Sequence, residues 1–219
     1  MNKKTLYRLT AAACAVLFIT GFSGLAGVEY QKSKPGPALP VDHFKQRVKA
    51  VISQASQVQA ETLIVGDSLT EFAYLPELCG ASVLNAGISS ATIQDASTWT
   101  RSLIEASKPK RVVFALGTNN AKLAESKTPV PMVMQTYAAL IDEAKGHDIY
   151  VATLPAVSPE RPGFDATHIK ALNEGIKTLA AEKGVTLIDL DRELPMTDGV
   201  HLTSEGYAIW RTQLNAVCT

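Results

Sequence analysis

Short aliphatic segments alternate with longer segments of helical periodicity from residue 41 to the end of the chain. The aliphatic segments are often β-branched and are bounded by Gly, Pro or Asp, which is typical of strands buried on both faces of a sheet. They lie at residues 63–65, 82–84, 111–116, 149–154 and 186–188. The hydrophobic pattern therefore predicts five strands.

Apolar residues recur at helical spacing before, between and after the predicted strands. The predicted helices lie at residues 41–59, 93–107, 130–145, 166–183 and 204–217. Strands that are separated by helices form βαβ units. The sequence therefore predicts an α/β fold with a mostly parallel sheet that is covered by helices on both faces.

The first 30 residues have a different character. Three basic residues lie within the first eight positions and precede an uncharged segment at residues 9–28. This order is typical of a secretory signal peptide, and small residues would permit cleavage after Ala26. The uncharged segment also approaches the roughly 20 residues that span a bilayer, so a membrane anchor is the alternative. Both interpretations predict an exported protein, either periplasmic or secreted, or anchored to the outer face of the cytoplasmic membrane.

The remaining chain is predicted to form one globular domain. Residues 31–40 contain three prolines, a glycine and two lysines, which favours an extended linker. With 219 residues and 46% hydrophobic residues, the chain can bury one sizeable core. The predicted organisation is a signal peptide or anchor at 1–30, a linker at 31–40 and the domain at 41–219.

Charge and histidine placement narrow the possible functions. The net charge is zero and basic residues cluster only at the extreme N-terminus, so a nucleic-acid-binding function is not expected. His43, His147 and His168 lack other ligand residues at metal-binding spacing, so neither a metal nor another cofactor is predicted. Trp99 and Trp210 fall on helical stripes and are interpreted as packing residues.

Two cysteines lie in the predicted domain. Cys79 and Cys218 could form a disulfide in an oxidising compartment, although sequence does not give their separation in space. Two unpaired thiols are the alternative. Neither cysteine lies in a motif that would mark it as a nucleophile.

Three predicted strands are each followed directly by a short segment of polar residues and glycine. Open parallel sheets bind ligands at the carboxyl ends of their strands, so residues with a function are expected there. The three segments are Gly66-Asp67-Ser68, Asn85-Ala86-Gly87 and Gly117-Thr118-Asn119. We expect them to meet at one edge of the sheet.

Ser68 lies at a predicted turn from strand to helix, where its hydroxyl would be exposed beside unpaired backbone N–H groups. This placement favours a nucleophile that attacks a carbonyl, although an ordinary helix N-cap explains the same residue. Asp198 and His201 lie three residues apart before the last helix. They could supply the general base and its orienting carboxylate. A turn followed by a surface histidine is the alternative.

Two further residues could stabilise the negative charge that develops in acyl transfer. The side-chain amide of Asn119 and the backbone N–H of Gly87 could join the Ser68 N–H as oxyanion donors. Taken singly, Gly87 is explained as a turn glycine and Asn119 as a capping residue.

Four segments in order resemble blocks of the SGNH (GDSL-type) hydrolase family. They are Gly66-Asp67-Ser68-Leu69, Gly87, Gly117-Thr118-Asn119-Asn120 and Asp198-Gly199-Val200-His201. The resemblance implies a flavodoxin-like α/β/α sandwich without a metal, in which Ser68, His201 and Asp198 form a catalytic triad. It also implies an oxyanion hole made by Ser68, Gly87 and Asn119. Asn120 departs from the family pattern, which more often has Asp at this position.

The expected function is an exported serine esterase that hydrolyses small acyl esters, such as acetyl groups on carbohydrates or short-chain lipid esters. Two alternatives stay open: an envelope O-acyltransferase with the same triad, and a non-catalytic binding module on the same fold. The proline-rich segment at residues 155–163 follows a strand. It is interpreted either as a wall of the substrate site or as an inert surface loop.

Overall fold

The computed structural model describes residues 42–216 and residue 218. The predicted signal peptide or anchor at 1–30 and the linker at 31–40 lie outside the described residues. None of the helices in the described part is long and apolar enough to cross a membrane.

The described chain contains six strands and seven α-helices. The strands are β1 Thr62–Gly66, β2 Glu77–Leu78, β3 Ala81–Gly87, β4 Arg111–Ala115, β5 Asp148–Ala152 and β6 Thr186–Ile188. The helices are α1 His43–Ala55, α2 Ser68–Glu71, α3 Ile93–Ala96, α4 Thr100–Ser107, α5 Val130–Glu143, α6 Ala166–Lys183 and α7 Ser204–Asn215. Two short 3-10 helices span Thr118–Ala121 and Glu125–Lys127.

The strands form one sheet in the order β2-β3-β1-β4-β5-β6. All neighbours are parallel except β2, which pairs antiparallel to β3 at the edge. β1 therefore lies inside the sheet, between β3 and β4. The predicted α/β class with a mostly parallel sheet is confirmed.

Helices cover both faces of the sheet, because successive side chains of a strand point to opposite sides. On β1, Leu63 and Val65 join a large core cluster with residues of α1, α3, α4, α5 and α6. Ile64 joins a second cluster with residues of α2 and α7. Trp99 and Trp210 are both buried, as predicted for packing residues. The result is the three-layer arrangement expected from the sequence.

Two elements differ from the sequence prediction. The edge strand β2 was not expected, because two residues are too few to show an apolar pattern. The helix predicted over 93–107 is interrupted between α3 and α4. The hydroxyls of Ser97 and Thr98 donate to the carbonyl oxygens of Gln94 and Asp95, and such side-chain bonds compete with helix continuation.

The two candidate cysteines are joined. A disulfide connects Cys79, just after β2, with Cys218, beyond α7, and the two Cα atoms are 5.1 Å apart. The Cys79 N–H also donates to Asn215 Oδ1 at 3.3 Å, so the edge of the sheet and the end of α7 meet through two contacts. Of the two alternatives from the sequence, the structure has the disulfide.

Loss of this disulfide should destabilise the domain substantially. It closes a loop of 139 residues, and the chain-entropy model gives about 5 kcal/mol as an upper value for a loop of that length. We expect the Cys79→Ala/Cys218→Ala variant to have a free energy of unfolding several kcal/mol lower in urea denaturation without reductant. With reductant present, the wild type should approach the variant. Equal stabilities without reductant, or peptide mapping that finds two free thiols, would contradict the assignment.

Candidate active site

Ser68 is the first residue of α2, directly after the turn that leaves β1. Asp67 caps the helix, because its Oδ1 accepts the Leu69 N–H at 3.0 Å. A Cβ atom at Gly66 would lie only 2.0 Å from Thr70 Oγ1, so this turn requires glycine. Ser68 therefore stands at the carboxyl end of an inner strand and is largely buried, with 9% of its surface exposed.

His201 and Asp198 extend from Ser68 as a continuous chain of hydrogen bonds. His201 Nε2 lies 3.1 Å from Ser68 Oγ, and His201 Nδ1 lies 2.9 Å from Asp198 Oδ2. The structure thus brings together the three residues that the sequence proposed for nucleophile, base and orienting carboxylate. Their separation along the chain is large, because His201 follows Ser68 by 133 positions.

The Asp198 carboxylate is held in place by its own backbone turn. Its Oδ1 accepts the N–H groups of His201 at 2.8 Å and Val200 at 3.1 Å. These hydrogen bonds hold the pKa of the Asp198 carboxyl well below its ordinary value, and the bond from the His201 N–H has the largest effect. An ionised Asp198 can only accept a hydrogen bond, so it places the proton of His201 on Nδ1. His201 Nε2 is then left to accept the Ser68 hydroxyl proton.

The proline-rich loop at residues 155–163 packs against this turn. The Ser158 N–H donates to the Gly199 carbonyl oxygen at 2.9 Å, and Arg161 Nη2 lies 3.7 Å from Asp198 Oδ2. A Cβ atom at Gly199 would lie 3.0 Å from that of Ser158, so the packing is close. The loop is therefore not an inert surface loop, because it supports the carboxylate. From the sequence, only the position of the loop after a strand was evident. Nothing in the sequence indicated that Arg161 would contact Asp198.

Gly87 does not offer the N–H group that the oxyanion prediction requires. Its N–H donates to Asn85 Oδ1 at 2.9 Å. Successive N–H groups of a strand point to opposite edges. The N–H that points to β1 is therefore that of Ile88, which donates to the Gly66 carbonyl oxygen. A Cβ atom at Gly87 would lie 2.2 Å from the Glu71 backbone nitrogen. Gly87 is thus needed for close packing of α2 on β3, and the geometry corrects its assignment as an oxyanion donor.

The loop after β3 offers a different N–H group. Within residues 87–93, every N–H except that of Ser90 donates to an acceptor in the described part of the chain. The acceptors, in order, are Asn85 Oδ1, Gly66 O, Glu71 Oε2, Ile88 O, Asp95 Oδ2 and Asn120 Oδ1. Ser90 is exposed and has a φ of 69°, a left-handed conformation that is uncommon for serine. A free backbone N–H group is not tied to any residue type, so the sequence did not predict this donor at Ser90.

Asn119 and Asn120 lie in the 3-10 helix after β4 and are both buried. Asn119 Nδ2 donates one hydrogen to the Ala91 carbonyl oxygen at 3.0 Å, which fixes its amide beside the Ser90 loop. Asn120 Oδ1 accepts the Ile93 N–H at 3.0 Å, and its Nδ2 donates to Gln94 Oε1 at 2.7 Å. Asn120 therefore ties this segment to α3, and an Asp could not make the second of these bonds.

Phe72 lies on the open side of the site. Its ring centroid is 5.4 Å from that of His201, and the side chain is 56% exposed. Such exposure of a large apolar ring beside His201 leaves a flat surface available to a ligand.

The sequence of residues 64–209 matches the GDSL-like Lipase/Acylhydrolase family model, which covers more than half of the chain. The chain belongs to this family. A GDSL-like acylhydrolase is a serine hydrolase that acts on ester bonds, which agrees with the residues gathered around Ser68. The predicted resemblance is thereby confirmed.

Solved structures show the same fold at low sequence identity. A lipase/acylhydrolase from Enterococcus faecalis has 23% identity and a TM-score of 0.62, over 71% of this chain and 93% of its own. A GDSL-like lipase from Bacteroides thetaiotaomicron has 20% identity and a TM-score of 0.63, over 80% and 96%. A carbohydrate acetylesterase from Sinorhizobium meliloti has 20% identity and a TM-score of 0.59, over 72% and 95%. No curated protein sequence matches this GDSL-like chain.

Asp67 is the titratable group most affected by burial in this GDSL-like site. Loss of solvent raises the pKa of its carboxyl from 3.8 to about 6, although the Leu69 N–H and the neighbouring Thr118 oppose this shift. Only 1% of the residue is exposed. Between about pH 4 and pH 6 the Asp67 carboxyl is thus protonated in the folded state, next to the candidate nucleophile, while it would be ionised in the unfolded chain.

This raised pKa predicts a pH-dependent contribution to stability. The folded protein holds the Asp67 proton more tightly than the unfolded chain, so the contribution is complete below pH 4 and is lost as the pH rises through about 6. The isosteric Asp67→Asn variant keeps the cap without titrating. Relative to the wild type, its free energy of unfolding should increase by up to about 3 kcal/mol between pH 4 and pH 7. A stability difference that does not change over this range would contradict the shift.

Proposed function

We propose that this GDSL-like protein is an exported serine esterase that hydrolyses small acyl esters through an acyl-enzyme on Ser68. The observation that carries the proposal is the chain of hydrogen bonds from Ser68 Oγ through His201 to Asp198. A serine that lacks a base is a weak nucleophile, and this arrangement supplies the base together with the group that orients it.

The first half of the reaction forms the acyl-enzyme. Ser68 Oγ attacks the ester carbonyl carbon while His201 Nε2 takes the hydroxyl proton, and Asp198 stabilises the resulting imidazolium. When the tetrahedral intermediate collapses, the bond to the alcohol oxygen breaks and His201 returns the proton to that oxygen. The alcohol leaves, and the acyl group remains on Ser68.

The second half repeats these steps with water. His201 takes a proton from the water as its oxygen attacks the acyl carbonyl, and the bond to Ser68 Oγ then breaks. His201 returns the proton to the Ser68 oxygen, and the carboxylic acid is released. Water can reach this point because His201, which contacts Ser68 Oγ, has 32% of its side chain exposed.

Three donors are suited to the oxyanion of both tetrahedral intermediates. They are the N–H groups of Ser68 and Ser90 and the remaining hydrogen of Asn119 Nδ2. The Ser68 N–H lies in the first turn of α2, where helical N–H groups have no intrahelical partner. Each such donor is typically worth about 3–4 kcal/mol in the transition state.

Three features support a small acyl ester of an extracytoplasmic alcohol. One structural neighbour is named a carbohydrate acetylesterase, which favours acetyl esters as the first substrates to test. The N-terminal sequence is typical of an exported protein. The Cys79–Cys218 disulfide agrees with export, because disulfides persist in oxidising compartments.

Substitution of Ser68 or His201 should abolish the esterase activity. Hydrolysis of p-nitrophenyl acetate, butyrate and octanoate measures both the activity and the preferred acyl length. We expect Ser68→Ala and His201→Ala each to lower kcat by more than about a thousandfold, because the remaining groups lack a nucleophile or base. Ser53→Ala, an exposed serine on α1, is the control and should behave like the wild type. A folded wild type no more active than Ser68→Ala would reject the proposal.

Phe72 should discriminate between alcohols and not between acyl groups. His201 delivers its proton to the leaving alcohol, so a ring in contact with His201 lines the alcohol side of the site. Aromatic contacts are worth about 0.5–1.5 kcal/mol. We therefore expect Phe72→Ala to lower kcat/KM for phenyl acetate up to about tenfold more than for ethyl acetate.

Tyr74 is the matched control for this comparison, because it is 80% exposed and only two residues away. Tyr74→Ala should leave the ratio of the two kcat/KM values unchanged. Equal losses for both esters in Phe72→Ala would show that the ring only supports His201.

A further inference from the structure

The carboxylate of Glu71 joins three parts of the chain. Glu71 is the last residue of α2, and its side chain is only 11% exposed. Its Oε2 accepts the Ser89 N–H at 2.5 Å. Its Oε1 lies 2.8 Å from His43 Nε2 and 3.8 Å from Arg47 Nε, both on α1. One partly exposed carboxylate thus links the helix that begins with Ser68, the loop after β3 and the N-terminal helix.

Arg47 fastens α1 to the same region from the other side. Its Nε donates to the Gly87 carbonyl oxygen at 3.0 Å and its Nη2 to that of Asn85 at 2.9 Å. These carbonyls lie on the outer side of β3, beyond the point where β2 ends, since β2 pairs only with Ala81 and Ser82. The guanidinium therefore takes the hydrogen bonds that a longer edge strand would make.

The end of β3 is also fixed to α2 and the residues after it. Asn85 Nδ2 donates to the carbonyl oxygens of Thr70 at 2.7 Å and Ala73 at 3.2 Å. Beyond this point, Ser89 is held by Glu71, and the Ala91 carbonyl oxygen is held by Asn119. Ser90 stands between these two anchors, so the direction of its N–H depends on both.

The charge of Glu71 is maintained despite its burial. Loss of solvent opposes ionisation, but hydrogen bonds from Ser89 and His43 outweigh it and leave the pKa of the Glu71 carboxyl below its ordinary value. An ionised carboxylate makes stronger and shorter hydrogen bonds to a backbone N–H than a neutral group does. The bond to Ser89 is of this kind.

We propose that Glu71 is a positioning residue for the esterase reaction, which holds the Ser89–Ala91 loop so that the Ser90 N–H can reach the oxyanion. His43 and Arg47 orient the Glu71 carboxylate, so α1 is part of the support of the site. This inference rests on the proposed function. Glu71 acts through Ser89 and does not touch the substrate.

The expected kinetic effect is on the transition state and not on ground-state binding. Removal of an oxyanion donor typically lowers kcat by about 100-fold to 1,000-fold, and a misplaced donor should cost less. We expect Glu71→Ala to lower kcat about 10-fold to 100-fold with KM changed by less than about threefold. Glu71→Gln keeps an oxygen that can accept the Ser89 N–H, so it should recover most of kcat.

The inhibition constant of a boronic acid distinguishes this role from a merely structural one, which would leave that constant unchanged. Phenylboronic acid would form a tetrahedral adduct on Ser68 that resembles the intermediate. Its inhibition constant should rise in Glu71→Ala by a factor similar to the loss in kcat. Hydrogen exchange of residues 88–91, measured by mass spectrometry, should become faster in the same variant.

Glu143→Ala is the matched control. Glu143 lies on α5, is 18% exposed and pairs with Arg101 at 3.8 Å, in an ion pair like that of Glu71 with Arg47. This variant should keep the wild-type kcat, boronic acid affinity and loop exchange. If Glu71→Ala does not fold, Arg47→Met carries the same test, because it removes the guanidinium that orients Glu71 and should lower kcat with KM retained.

The outcomes separate this inference from the function on which it rests. A wild type without activity above Ser68→Ala would reject the esterase function and the inference with it. An active wild type with an unchanged kcat and boronic acid affinity in folded Glu71→Ala would reject the inference alone. A loss of kcat in Glu71→Ala without weaker boronic acid binding would also reject it.

Discussion

The parallel register of β1 with β3 and β4 is the constraint on which the site depends. Gly66, the last residue of β1, lies opposite Gly87 of β3 and Ala115 of β4. Three chain segments therefore leave the sheet at the same level and in the same direction. Ser68, the Ser90 loop and Asn119 are neighbours for this reason, although their positions in the sequence are far apart. A shift of one residue in either pairing would move a donor segment away from Ser68 and turn its side chains to the other face.

The two glycines at this level allow a helix backbone to lie across the strands. Side chains at Gly66 or Gly87 would collide with α2, at Thr70 and at the Glu71 backbone respectively. The short helix can therefore approach the sheet closely enough for Asn85 and Glu71 to bond across the gap. In this way, backbone packing and side-chain hydrogen bonds fix Ser68 and the neighbouring loop as one unit. The Asp198 turn is added from the far end of the chain and is supported separately by the proline-rich loop.

Much of this arrangement could be predicted from sequence because it depends on residue type and order. The five longer strands and the fold class follow from apolar runs, and the meeting of Ser68, His201 and Asp198 follows from the resemblance to the SGNH (GDSL-type) family. The catalytic roles of these residues stay predictions. The short strand β2 was not predicted because two residues show no apolar pattern, and the break between α3 and α4 was not predicted because it depends on side-chain hydrogen bonds of Ser97 and Thr98. Gly87 was assigned wrongly to the oxyanion hole. A sequence motif does not show to which side of its strand an N–H group points. Glu71 and Arg161 carry no sequence signal, since each acts through a partner that is distant along the chain.

The guanidinium of Arg47 has a consequence for solubility. An exposed strand edge with unpaired carbonyl groups is a template for another chain, and proteins commonly protect such edges with charged side chains or covering helices. Beyond β2, the outer edge of β3 is occupied by Arg47, which is carried on α1. This contact therefore occupies carbonyl groups to which a strand of a second molecule would otherwise bond. A protein that lost α1 would expose this edge, and its first defect would be self-association through the sheet.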